Sequence, residues 1–415
     1  MTKVLAPVAA LLISVSILLT GQGLQGTLLP VRASLEDFPT LAIGAMGATY
    51  FLGFTIGCLR GGELVQRVGH VRVFLAMSAI ASASPLLHGL LVAPVVWGLL
   101  RFLTGFCFAV LYVVIESWLN DCADNENRGV IFSTYAMITL TVLAAGQMMM
   151  LLYEPTGFEL FVIASVLVSL GAVPVALSTS PSPAQPQSAK LDVRRLYSIS
   201  PSGTIGCLVS GLANGAFWAL APVFATEVGE NVSLAAWFMT SAVVGGAMAQ
   251  WPLGLLSDKA GRRKVLVGVS LFGCLAGLAI YFLASSLQFA SANMLAVFWG
   301  AFAFPLYTIA VAYSNDFAEP DEYVMVSSGL LLMYGIGAII GPILASLAMA
   351  NSRPGGLFGF AATMHLVLII FVVARYRRSR SIADKQIAFG DALSAAQTAS
   401  HVFEEELEQQ AESEA

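Results

Sequence analysis

Residues 254–264 read GLLSDKAGRRK, and residues 62–72 read GELVQRVGHVR. Each stretch closes an apolar run, and the two lie 192 residues apart, with Gly62 and Gly69 in register with Gly254 and Gly261. Gly254 permits close helix contact, Gly261 suits a tight turn, and Asp258 can accept hydrogen bonds from a neighbouring helix N-terminus. Arg262, Arg263 and Lys264 follow as a basic run of the kind held on the cytoplasmic side of a membrane. A loop of this form can latch two helices at the inner face. The first copy departs from it, with Gln66 at the Asp258 position and His70 at the Arg262 position, so the latch there is expected to be weaker or differently wired.

Outward from these loops the chain is apolar. Of its 415 residues 57% are apolar and 11% charged, with a net charge of −5, and mean hydropathy is +0.80. A water-soluble domain carries about 25% charged residues, so this chain cannot cover its surface for water. The composition also excludes a disordered chain, a disulfide scaffold and a basic nucleic-acid binder. The five cysteines show no CxxC or Cys/His spacing and read as buried free thiols, with no metal site and no cofactor expected. The N-terminal apolar run lacks a small-residue cleavage site and reads as a retained first helix.

A membrane helix needs about 20 apolar residues. Six runs fall near 4–31, 39–59, 72–92, 94–119, 128–153 and 157–178, and six more near 203–225, 234–256, 264–284, 287–313, 323–350 and 355–375. The expected architecture is all-α and polytopic, twelve transmembrane helices in two six-helix bundles, 1–178 and 203–375. A Pro- and Ser-rich linker occupies 179–202, and an acidic tail 376–415 carries most of the net negative charge. If the N-terminus is inside, 17 of the 20 Lys and Arg fall on inside segments and only Arg32 and Arg353 outside, with Arg101 left within a helix. Both termini are therefore expected to be cytoplasmic. Arg377, Arg378 and Arg380 at the start of the tail suit contact with anionic lipid.

The halves repeat. TGQGLQGTLLPV near residue 22 matches LANGAFWALAPV, with Gln22, Gly23, Leu28 and Pro30 recurring 192 residues later as Asn214, Gly215, Leu220 and Pro222. Further on the offset is 195, and Gly105, Leu111, Tyr112, Asn120 and Asp121 recur as Gly300, Leu306, Tyr307, Asn315 and Asp316. Identities spread over several helices and nearly collinear indicate duplication, the mark of a pseudo-twofold transporter.

The spacing of Gly254, Asp258, Gly261, Arg262 and Arg263, with the helix count, linker and duplication, resembles the Major Facilitator Superfamily over residues 4–375. QWPLGLLSDKAGRR together with ESWLND looks like the YcaD-like branch of bacterial transporters. The resemblance implies a bacterial inner-membrane protein that moves a small solute by rocker-switch alternating access around a central cavity. Asp121 and Arg128 resemble the family's acidic residue and Arg-Gly pair after helix four; Asp316 is retained in the second half, while Tyr323 replaces Arg128. Helix eleven carries GIGAIIGP at 335–342, but helix five lacks the proline that marks the family's drug/proton antiporters.

An ionisable residue at the bilayer centre costs about 2.5–3.5 kcal/mol on insertion scales. Arg101, Gly105, Phe108, Tyr112 and Glu116 share one face of helix four, yet Arg101 and Glu116 stand about 22 Å apart along the axis and cannot pair. Arg101 reads as a cavity cation for an anionic substrate group, or as a structural arginine donating to carbonyls. Glu116 is expected to form an inner-gate ion pair with Arg67 or Arg128, proton coupling being the other reading. His365 reads as a packed histidine. Gln22, Gln25, Asn214, Trp218, Gln250, Tyr307 and Tyr334 complete the candidate cavity lining with Arg101 and Tyr112. Gly254, Asp258, Gly261, Arg262, Arg263, Asp121 and Asp316 complete the gating set. No P-loop or nucleophile constellation is visible, so an enzyme is not expected. The competing reading is a non-transporting membrane sensor or scaffold on the same fold. Expected partners are a small molecule, the bilayer and a candidate coupling proton, with no nucleic acid, and the chain is expected to be a monomer.

Overall fold

The computed structural model describes residues 8–123, 127–177, 192–229, 232–319, 322–352 and 355–376. Among these, twelve helices are long and apolar enough to cross a membrane. In the first half they are α1 (Ala9–Leu35), α2 (Thr40–Val68), α3 (His70–Leu90), α4 (Pro94–Asp121), α5 (Arg128–Met148) and α6 (Glu159–Ala176). The second half holds α7 (Pro201–Gly229), α8 (Val232–Ala260), α9 (Arg262–Leu283), α10 (Phe289–Asn315), α11 (Tyr323–Asn351) and α12 (Gly356–Tyr376). The acidic tail, Arg353 and most of the linker lie outside the described residues.

Two departures from the sequence expectation matter. First, α2 runs nine residues beyond its expected end at 59, to Val68, and carries Arg60 and Glu63 as an exposed i,i+3 pair at 3.3 Å. Second, α10 is broken at Phe304 into Phe289–Ala303 and Pro305–Asn315. Its repeat counterpart α4 is one unbroken helix of 28 residues. Proline has no N–H for the preceding turn, but Pro30, Pro222, Pro252 and Pro342 all sit inside continuous helices. A proline alone therefore does not mark the break.

The sequence repeat is also a packing repeat. Lipid tails are as apolar as leucine, so helices in a bilayer associate chiefly through close backbone contact at small residues. Gly53 of α2 sits so near α4 that a Cβ there would overlap the Phe102 carbonyl oxygen, and Gly105 of α4 stands likewise against Tyr50. In the second half Gly245 meets Val297 and Gly300 meets Ala242 in the same way. The α1–α5 crossing, with Gly23 on Leu143 and Gly146 on Thr20, returns as α7–α11, with Gly215 on Ala338 and Gly341 on Leu212. Every partner lies where the offsets of 192 and 195 put it. The corners obey the same rule: Gly69 and Gly261 join α2 to α3 and α8 to α9 with φ of +92° and +94°, a left-handed geometry open to glycine at little cost.

Among the described residues the halves share a core toward one end and touch again half-way along α2, where Gly335 of α11 meets Thr55. One apolar core joins Leu28, Val31, Ile43 and Trp97 to Phe217, Leu220, Phe238 and Trp299, on the side away from the glycine corners. Cross-half packing there includes Gly44 on Pro342 and Ser346, Gly47 on Ala219, and Thr240 Oγ1 donating to Gln147 Oε1 at 3.2 Å. Toward the corners each half keeps a core of its own, Val65, Phe74, Leu111 and Trp118 in the first and Val265, Leu266, Leu306 and Val326 in the second. A short helix, Val193–Ile199, capped by the Asp192 carboxylate on the N–H groups of Arg194 and Arg195, joins the second of these cores by burying Leu196 over Gly329.

Candidate functional site

In the first half the helix-four face meets α1 and α2 in a polar knot. Gln22 donates through Nε2 to the Tyr50 hydroxyl at 2.9 Å and accepts from the Tyr112 hydroxyl at Oε1, 3.0 Å. The Arg101 guanidinium lies 4.1 Å from the centre of the Tyr50 ring. Contacts of this kind contribute about 0.5–2 kcal/mol, the larger values where water is excluded. Among the described residues no carboxylate lies within ion-pair distance of Arg101. The knot follows from the glycine crossing: Gly105 draws the α2 backbone at Tyr50 against α4, and Arg101, one turn away on the same face, receives the ring.

Tyr50 was not among the residues singled out from the sequence. Its repeat counterpart is Ala242, so the duplication did not mark it, and the signal in Gly105 does not say which helix approaches.

The second-half counterparts are arranged differently. Asn214, at the Gln22 position, donates to Ser210 Oγ at 3.2 Å and shares a side-chain hydrogen bond with Tyr334. Trp218 stacks on Phe304 with centroids 5.5 Å apart and planes 3° from parallel. Tyr307 and Tyr334 meet edge to face at 4.9 Å. Gln25 is buried, and neither atom of its amide finds a partner. Gln250 is half-buried on α8 and is not tied into either cluster.

Glu116 does not pair with Arg67. Because α2 continues to Val68, Arg67 sits exposed at its end, and the Arg128 side chain lies outside the described residues. Within electrostatic reach of Glu116 lie Cys58, Tyr112 and Tyr135 of its own half and Tyr307 of the other. His365 is buried with its ring against Gly273 of α9 and without a hydrogen bond at either nitrogen, away from both clusters.

At the corners the two copies of the loop diverge as Gln66 and His70 suggested. In the second half the Arg262 side chain, 1% exposed, reaches Asp258 Oδ1 at 3.1 Å and Asp316 Oδ2 at 3.0 Å, tying the ends of α8, α9 and α10 together. Gly254 is buried on the same helix, and Arg263 donates to the Val372 carbonyl of α12 at 2.8 Å. In the first half His70 takes the buried place of Arg262, with Nε2 3.0 Å from Ser117 Oγ. Asp121 remains exposed. Position 312, the repeat of Ser117, is alanine.

The family model described as Major Facilitator Superfamily matches residues 11–200 and again 203–406, one match for each half. Among curated relatives, the "Uncharacterized MFS-type transporter YcaD" of Salmonella newport is 30% identical over 380 residues, 88% of this chain and 95% of that protein. Its namesake from Escherichia fergusonii is 27% identical over 378 residues, 90% of this chain and 97% of that one. Among solved structures, the nucleoside transporter NupG shares the fold with a TM-score of 0.75 at 14% identity, over 89% of this chain and 98% of that one. A bacterial homologue of the human lysosomal transporter Spinster, in an inward-facing and occupied conformation, gives 0.70 at 17% identity, over 90% of this chain and 98% of that one. Duplicated crossings, glycine corners and the match over both halves agree: the chain belongs to the Major Facilitator Superfamily.

Proposed function

We propose that the chain is a secondary transporter of a small organic solute, working by alternating access between its six-helix halves at the central polar groups. One observation carries the reading: the halves share a core at one end and keep separate cores at the other, with Arg101, Gln22, Tyr112, Asn214, Tyr307 and Tyr334 in between. Such an arrangement exposes a central site on one side and closes it on the other. Rocking about it would exchange the two. On this reading the basic residues around the glycine corners mark the cytoplasmic side, and this conformer is the inward-facing one.

Glu116 is the candidate coupling carboxylate. It stands in the membrane without a basic partner among the described residues and within electrostatic reach of Tyr112 in its own half and Tyr307 in the other. Taking up a proton removes the cost of its charge.

The test is counterflow in liposomes preloaded with candidate solutes. Saturable, trans-accelerated uptake is expected, and with Glu116→Gln exchange should persist while accumulation driven by a pH gradient disappears. Solute binding without any flux would overturn the transport reading in favour of a sensor or scaffold.

A further inference from the structure

The repeat pairs Gly26 with Trp218, and the structure gives the two positions opposite characters. A Cβ placed on Gly26 would meet no heavy atom within 4 Å, so open space lies against α1 there. Gly26 is one helical turn from Gln22 and shares its face, which turns that space toward the Gln22–Tyr50–Arg101 knot. Counted from the helix ends away from the corners, Gly26 lies about 14 Å deep and Arg101 about 10 Å, at 1.5 Å per residue. The gap and the cation are therefore at nearly the same level. On α7 the equivalent position holds a flat indole, set parallel to Phe304 at 5.5 Å and edge-on to Phe217 at 5.7 Å. Both ring contacts fix its plane, yet Trp218 is only partly buried.

Open space on α1 and an immobilised indole at the equivalent place on α7, which packs against α1, suit a flat apolar body, because ring faces stack on one another. A guanidinium that rests on a tyrosine ring with no carboxylate partner suits an anion, above all a planar carboxylate that takes two parallel hydrogen bonds. We propose that the substrate is a planar aromatic monoanion, its ring held between Gly26 and Trp218 and its acid group on Arg101. The proposal rests on the transport reading for the place of the site and adds its chemical class. In this arrangement Tyr50 positions Arg101, and Gln22 fixes Tyr50 through the 2.9 Å bond to its hydroxyl.

The experiment measures binding of three probes to the full-length purified chain: 1-naphthoate, its neutral amide, and the saturated decalin-1-carboxylate. Naphthoate should bind at least tenfold more tightly than either of the others. Arg101→Gln should erase the preference for acid over amide, and Trp218→Leu the preference for the flat ring over the saturated one. Gly26→Leu should abolish binding of all three, with Gly26→Ser giving an intermediate loss and each variant melting as the parent does. Equal binding of acid and amide, equal binding of flat and saturated acid, or a panel that does not bind would each overturn the proposal. Counterflow on the same preparations separates the two readings. Naphthoate bound but not exchanged counts against transport, whereas exchange of other solutes with the panel inert counts against the aromatic anion alone.

Discussion

The two halves are built on the same crossings and spend their charges in different places. The first half carries Arg101 and Glu116 within α4, where the second has Ala296 and Val311. The second half holds Asp258, Arg262 and Asp316 together at its corner, where the first has Gln66, His70 and exposed Asp121. Aromatic packing follows the same division, with Phe217 stacked on Trp299 at 4.4 Å and Trp218 on Phe304 in the second half. Duplication preserved what the backbone requires, the glycine contacts and the two left-handed corners. Tyr112, Asn120 and Asp121 were kept as Tyr307, Asn315 and Asp316, but the other charges diverged, so one copy carries Arg101 and Glu116 while the other carries the ion-paired corner.

The shared part of this comparison predicts the largest effect. Gly105→Ala and Gly300→Ala each drive a methyl group into a carbonyl oxygen of the facing helix, and each should lower stability by about 3 kcal/mol, read as apparent unfolding of purified protein. A clear inequality between the two would break the claim that the crossings are equivalent. Next comes the divergent part. Arg262→Ala takes away the guanidinium that bridges Asp258 and Asp316, whose side chains are 28% and 11% exposed; the loss should be about 2.5 kcal/mol, below that of a fully buried pair.

His70→Ala removes one hydrogen bond to Ser117 and should cost about 1 kcal/mol. If it cost as much as Arg262→Ala, the two corners would be equally latched and the contrast would fail. The smallest effect belongs to the linker helix, where Arg195 Nε donates to Glu322 Oε1 at 2.7 Å. That bond holds the Glu322 carboxyl below the usual carboxylate range. A depressed carboxylate contributes stability above its unfolded value and loses it as the pH falls through its folded one. Protease nicking beside the helix should therefore rise only under acid conditions below pH about 4, and Glu322→Gln should remove that dependence.

Spans and duplication were legible because each rests on a long-range regularity, apolar length or a fixed offset. The glycine pairs were legible as recurring residues, but their partners were not, since a sequence does not say which helices cross. Tyr50 was missed for that reason: its value lies in the approach of α2 to Gly105. The Glu116–Arg67 pair is not made in this conformer, because α2 continues past the expected end and Arg67 sits exposed there. The break at Phe304 was hidden among prolines that leave their helices whole. His70 and Arg262 were readable as a substitution, yet Ser117 as the histidine's partner required the fold.

The break in α10 has a mechanical consequence. α4 runs about 42 Å without interruption, at 1.5 Å per residue, so Arg101 and Asp121 sit on one rod. In α10 the regular ladder lapses at Phe304, because Pro305 has no N–H to give. The segment Pro305–Asn315, bearing Tyr307 and leading into Asp316 and its bond to Arg262, is therefore tied to Phe289–Ala303 by one backbone bond fewer than its counterpart in α4. A symmetry of contacts thus carries an asymmetry of backbone continuity.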